Sequence, residues 1–273
     1  MKYFLDTEFH EYHKQVKVAN IKVGKAIPTI DLISIGIVSE DIRLGMKYGL
    51  TDNGDSVPIE SYSTGKEYYD ICKDFNLKDA WHSNQGTGEN PNFWLRDNVL
   101  NDIYISLVNK YLDEHLQIDE FSDFTLGNFK TLLSKYGKTK KDIVRNIITF
   151  IYGENGGSEE FLPPTNLIPE FYAYYADYDW VVFAQLFGKM MDLPKGFPMY
   201  CNDLKQTLDT YIKDRWLPDS ISYMKGMNVD ITFDLALERL ESLDSYPKQD
   251  NEHNALDDAK WNKKLYEFLN TLK

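Results

Sequence analysis

Two acids one residue apart, Asp6 and Glu8, break into an apolar run near the start of the chain, KYFLDTEF. If that run is a strand, its two-residue period turns both side chains to one face, where they can converge on one cation. Without a metal or a proton between them, such neighbours repel. A solvated strand end is the plainer explanation of the pair taken alone. A second pair, Asp177 and Asp179, follows the aromatic run EFYAYYA, and Asp179 is expected to open a helix, where an N-cap role alone would explain it. A third group lies in NEHNALDDAKW: His253 stands ahead of an expected helix and Asp258 falls in its first turns. There Asn254 and Asp257 have the spacing of a cap and its N3 partner, so Asp257 has a structural reason to be present.

These groups have to be held by strands and helices that the chain spells out unevenly. Lys2 to Leu5 reads as a short buried strand, Thr29 to Ser39 as a longer β-branched one, and Asp41 to Thr51 as a third with hairpin-like spacing. Lys17 to Ala26 reads as loop or an extra hairpin, and Asn84 to Asn92 carries strong loop signals. Helical pattern occupies Asn98 to Leu112. It returns in TKKDIVRNIITFIYG, where Thr139 and Asp142 have capping-box spacing, Ile143, Ile147 and Ile151 form a stripe, and Gly153 is a stop. Gly153 to Asn166 is expected to join an elaborated first half to a second half of strand (Glu170 to Ala176), helix (Asp179 to Gly188), strand (Pro198 to Asp203) and helices, the last from about Ala255 to Leu272.

Composition limits what such a site can serve. With 273 residues, 42% of them hydrophobic, the chain can bury a sizeable core, and 19 Tyr and 15 Phe mark an ordered protein. A net charge of −13 argues against a broad basic surface that binds nucleic acid by counterion release, so any such contact must be local and metal-assisted. Cys72 and Cys201, far apart and outside any zinc spacing, indicate neither a disulfide framework nor structural zinc. The acids at positions 6 and 8 interrupt what a signal peptide needs, and no 18-residue apolar run follows, so a cytoplasmic protein without a membrane partner is expected.

Taken together, DTE near the start, an aromatic strand running into YDW, and H-x4-D on the last helix resemble the DEDDh 3′–5′ exonucleases of the ribonuclease H-like superfamily. The words IDLISIGIVSED, EYYDICKDFNLKDAW and FWLRDNVL are further similar to the branch of exoribonucleases typified by small mycobacterial enzymes. The resemblance implies that Asp6, Glu8, Asp179 and Asp258 are ligands of two Mg²⁺ or Mn²⁺ ions, the oxygen-seeking cations that carboxylates prefer. It implies that His253 is the general base, a role that suits an imidazole. Asp177 is the less favoured ligand, because in the family the acid directly precedes the helix.

The expected fold is α/β and ribonuclease H-like: a five-stranded mixed sheet flanked by helices, in one domain over 1–273. A large insertion is expected between the third and fourth core strands, somewhere within about 52–166. The implied activity is metal-dependent 3′–5′ hydrolysis of single-stranded nucleic acid from its 3′ end, releasing nucleoside 5′-monophosphates, with RNA preferred. The alternatives are a DNA exonuclease and a non-catalytic protein-binding module on the same fold, the inserted stretch being a candidate surface for a protein partner. Thr7, Phe9 and Arg96 are candidate substrate contacts, with Phe9 placed to stack on the terminal base and Arg96 to meet a phosphate; core packing is the alternative for Phe9. Lys130 to Arg145, the most basic stretch, is a candidate track for the backbone or else a solvated helix face.

Overall fold

A computed structural model of the chain describes residues 1–19, 21–50, 56–114, 121–154, 168–216 and 232–272. Its centre is a five-stranded mixed sheet of β1 (Lys2–Lys14), β4 (Ile27–Ser39), β7 (Glu67–Ile71), β8 (Glu170–Ala173) and β9 (Asn202–Asp203). Their spatial order is β7-β4-β1-β8-β9. β4 lies antiparallel to both β1 and β7, whereas β1, β8 and β9 run parallel. Helices cover both faces, so the α/β class and the mixed, helix-flanked sheet agree with the sequence reading.

Four of the expected strands need correction: the one from Glu170 ends at Ala173, the one expected over Pro198 to Asp203 is only Asn202–Asp203, and two others differ more deeply. β1 does not stop at Leu5 but continues to Lys14, so Asp6 and Glu8 sit within the strand and not at its end. Its polar residues after Glu8 hide the strand from an apolar-run reading, while β4 holds it by a ladder that reaches Lys14↔Ile27. The third core strand is β7, and not the run from Asp41. Residues Ile42–Leu50 form β5, which pairs with β6 (Ser56–Ser63) in a separate two-stranded sheet. With β5 paired to β6, the edge of β4 is left to Glu67–Ile71. Residues 17–26 do contain a minimal hairpin, β2 (Lys17–Val18) against β3 (Ile21–Lys22).

Between β7 and β8 come α1 (Leu77–Trp81), a π-helical turn (Leu95–Leu100) running into α2 (Asn101–Glu114), α3 (Leu126–Tyr136) and α4 (Lys140–Tyr152). Thr139 caps α4, its hydroxyl accepting from the Asp142 amide at 3.1 Å, and Gly153 ends it at φ +81°. Most of the expected joint, from residue 155 on, lies outside the described residues. After β8 come α5 (Ala176–Phe187), α6 (Leu204–Tyr211), α7 (Phe233–Glu241) and α8 (Ala255–Thr271). On one side of the sheet Tyr3, Leu5, Ile35 and Ile37 pack against Ile143, Ile147 and Ile151 of α4 and Trp180 and Phe183 of α5. On the other, Phe4 meets Tyr266 of α8, whose Leu265 and Phe268 also pack against α6 and α7. Among the described residues no helix is long and apolar enough to cross a membrane.

Candidate metal centre

Asp6 and Glu8 project from the same face of β1, as the strand period requires, and α8 closes over that face. The closure depends on Gly36 of β4, the cross-strand partner of Asp6. A Cβ at that position would stand 2.1 Å from the Ala255 carbonyl oxygen, well inside contact distance. Lacking one, the sheet lets the first turn of α8 rest on its backbone. Asn254 caps that turn, its side-chain oxygen accepting from the amides of Leu256 and Asp257, and Asp258 then points at the β1 acids. Carboxylate oxygens of Asp6, Glu8 and Asp258 lie within 4.8 Å of one another. At an effective dielectric constant of about 20, two charges that close repel by roughly 3 kcal/mol, so a divalent cation or bound protons must offset the cost.

Asp179 reaches the centre by a different route. β8 pairs with β1 only at Lys2 to Phe4, so past that point the β1 edge is open. Asp179 fills the gap: its Oδ1 accepts from the Thr7 amide at 2.9 Å and from the Thr7 hydroxyl at 2.7 Å. The helix that carries it starts earlier than the sequence indicates, at Ala176, so Asp179 lies within the first turn and does not open the helix. Tyr175 precedes it in the left-handed region at φ +59° and provides no side-chain cap. The cap comes from a distance. Asp203 accepts from the Ala176 amide with one oxygen (3.1 Å) and from Gln206 in α6 with the other (2.9 Å), tying both helix starts to β9. Asp177 is exposed on the outer side of α5.

The electrostatics follow from crowding. Burial, then the charges of Asp179, Glu8 and Asp258, hold the Asp6 carboxyl well above the ordinary carboxylate range. Burial and the neighbouring Asp258, Asp179 and Asp102 raise Glu8 to about 8. Asp179 rises to about 7 through burial, against the pull of its two Thr7 bonds. Asp258 is raised by burial, and restrained by hydrogen bonds from the Gln249 side chain (2.6 Å) and the His253 amide (3.0 Å). Groups of this kind, proton-loving when empty and rich in hard oxygens, could hold a hard metal cation by exchanging protons for it.

His253 stands at the rim. Its backbone, at φ +72°, bends back so that its amide meets Asp258, while its ring lies edge-on to Trp94 with centroids 4.8 Å apart. A non-glycine residue held at positive φ is strained, and such strain gathers at sites that need one fixed geometry. Asp102 in the first turn of α2 lies within electrostatic reach of His253, whose positive form offsets the rise that burial imposes on the Asp102 carboxyl.

The three lesser candidates divide. Phe9 stacks on Tyr178 with centroids 5.7 Å apart and rings 7° from parallel, beside a cavity of about 650 Å³ bounded by Tyr12, Ile30, Tyr178 and Val181. Thr7 is buried and turned to α5, where it holds Asp179. Arg96 is spoken for by Asp97 at 2.7 Å and by the Phe93 ring, 4.4 Å away. Of the basic stretch, Lys140 pairs with Asp31, Lys135 with Glu114 and Arg145 with Asp142. Sequence reasoning did not single out Gln249, Asp203 or Asp102. Gln249 precedes the last helix and gives no periodic signal, and an acid in the first turn of a helix, as Asp102 is, reads as ordinary dipole compensation. No protein-family model matches this chain, and neither does any curated protein.

Proposed function

We propose that the protein is a metal-dependent 3′–5′ exonuclease that hydrolyses single-stranded nucleic acid to nucleoside 5′-monophosphates, with RNA the preferred substrate. The observation that carries this reading is the convergence of Asp6, Glu8 and Asp258 within 4.8 Å. Asp179 stands close enough to raise the Asp6 carboxyl, and His253 is fastened to Asp258 by its amide. Four acids from three separate elements are held together against their mutual repulsion, which argues for a cationic ligand.

In this reading Asp6, Glu8, Asp179 and Asp258 hold two Mg²⁺ or Mn²⁺ ions. Such ions, when bound, supply Lewis-acid stabilisation of phosphodiester displacement and lower the pKa of the attacking water. His253 takes the proton from that water. The Asp258 bond fixes its backbone and Trp94 limits the swing of its ring. Phe9, one residue after Glu8, and the exposed Tyr178 stacked on it would give the terminal base a stacking surface, which suits a single strand whose bases are unstacked. The decisive experiment compares hydrolysis of matched RNA and DNA oligonucleotides labelled at the 5′ end, with Mg²⁺, Mn²⁺ or EDTA. A metal-dependent ladder shortening from the 3′ end supports the reading, faster on RNA if the substrate preference is correct. No cleavage with either metal overturns it.

A further inference from the structure

We propose that the cleft between α1 and α3 is a docking site for an acidic peptide segment of another protein, anchored by a bulky apolar side chain. Its volume of about 430 Å³ is that of a ligand pocket, and Phe75, Leu77, Leu126 and Leu133 form its apolar floor. Lys73, two residues beyond β7, Lys78 of α1 and Lys130 of α3 stand round it. All three are exposed. They have no ion-pair partner among the described residues, unlike Lys135, Lys140 and Arg145 nearby. Among the described residues, none that lines the cleft is acidic.

Two observations decide the kind of partner. In a chain of net charge −13, an acidic peptide is repelled by most of the surface and steered to this local positive rim. The floor offers aliphatic side chains and the nearly buried Phe75, which suit a leucine or phenylalanine anchor better than nucleobases, whose binding relies on exposed aromatic faces. The adjoining cavity, which shares Phe75, sets Asp31, Asp74 and Asp79 beside Lys14 and Lys140, so the unpaired positive rim does not continue into it. This inference does not rest on the nuclease reading.

The test uses the full chain and a fluorescein-labelled probe peptide, Asp-Glu-Asp-Leu-Phe-Asp, followed by fluorescence anisotropy at low salt. Binding should weaken as salt rises. It should fall by on the order of tenfold or more in the Lys73→Glu/Lys78→Glu/Lys130→Glu variant, each reversed rim charge contributing a modest factor. Replacing Leu-Phe in the probe by Ser-Ser should weaken it comparably. Should the triple variant fail to fold, Lys78→Glu, on an exposed position of α1, carries the same test. An absence of binding to the parent protein overturns the proposal, as does binding that ignores the charge reversals. A twelve-residue oligouridylate that competes with the probe, and whose own affinity drops equally in the variant, overturns it in favour of a nucleic-acid track.

Discussion

The Thr7 hydroxyl donates to Asp179 across a gap of 172 residues in sequence, at 2.7 Å, and the Thr7 amide donates to the same oxygen. One residue of β1 thereby stands between two site acids and, on its opposite face, binds a third. Thr7→Val keeps the shape and the amide bond but removes the hydroxyl. It should destabilise the protein by about 0.5–1.5 kcal/mol, the range for one net hydrogen bond, and lower kcat more than it raises KM. Denaturant unfolding and steady-state hydrolysis check this; a rise in KM alone would mean that Thr7 touches substrate.

Asp6→Asn should abolish hydrolysis and divalent-metal binding while raising the melting temperature of the metal-free protein. Burial first, and then three neighbouring acids, push its carboxyl upward, and a neutral side chain there escapes both costs. Calorimetry in EDTA and titration with Mn²⁺ read the two effects separately. A variant that loses stability without metal would show that Asp6 has a structural partner in the empty protein.

Stability should depend on pH in an unusual direction. Glu8 at about 8 and Asp179 at about 7 hold protons in the folded state that the unfolded chain releases near the ordinary carboxylate values. The folded state thus binds more protons between about pH 4 and 8, and its metal-free stability should fall as pH rises through that window. Metal displaces those protons, so the gain in melting temperature on adding Mg²⁺ should be larger at pH 8 than at pH 6. An equal gain at both would contradict the raised carboxyls.

His253→Ala should retain metal binding, because the contact of His253 with Asp258 is through its amide, which the substitution keeps. Hydrolysis should slow by roughly 10²–10⁴-fold, the range for a lost general base. Isothermal titration with Mn²⁺ and single-turnover cleavage measure the pair; lost metal affinity would make His253 a ligand instead.

Gly36→Ala tests the approach of α8. The new methyl would meet the Ala255 carbonyl at 2.1 Å and the Leu256 Cα at 2.5 Å, both main-chain atoms that cannot turn aside. Forcing the helix outward should cost about 1–3 kcal/mol or more and weaken metal binding by moving Asp258. Retained metal affinity would mean that the helix shifts without carrying the acid with it.

What the sequence disclosed was mostly local. The DTE face, the Thr139 cap, the isoleucine stripe and the spacing of His253 to Asp258 are short-range patterns, and each has its counterpart in the structure. The length of β1 was hidden because the ladder to β4 holds polar residues that no apolar run marks. β7 was missed because the strand neighbouring β4 in sequence pairs with its own hairpin partner. Asp203 as a remote cap of α5 and Gln249 as a support for Asp258 arise only from tertiary packing, which leaves no spacing rule behind.

The last helix has a consequence for timing. Besides carrying Asp258, it sends Asn262 to the Leu5 carbonyl at 2.9 Å, a bond spanning 257 positions of the chain. Contacts so far apart in sequence form late, after the loop-closure entropy of everything between them has been met. A ribosome-bound chain that still lacks residues 255–271 has Asp6 and Glu8 without their third companion and β1 without its cover. The three-acid cluster is therefore complete only once α8 has docked on β1.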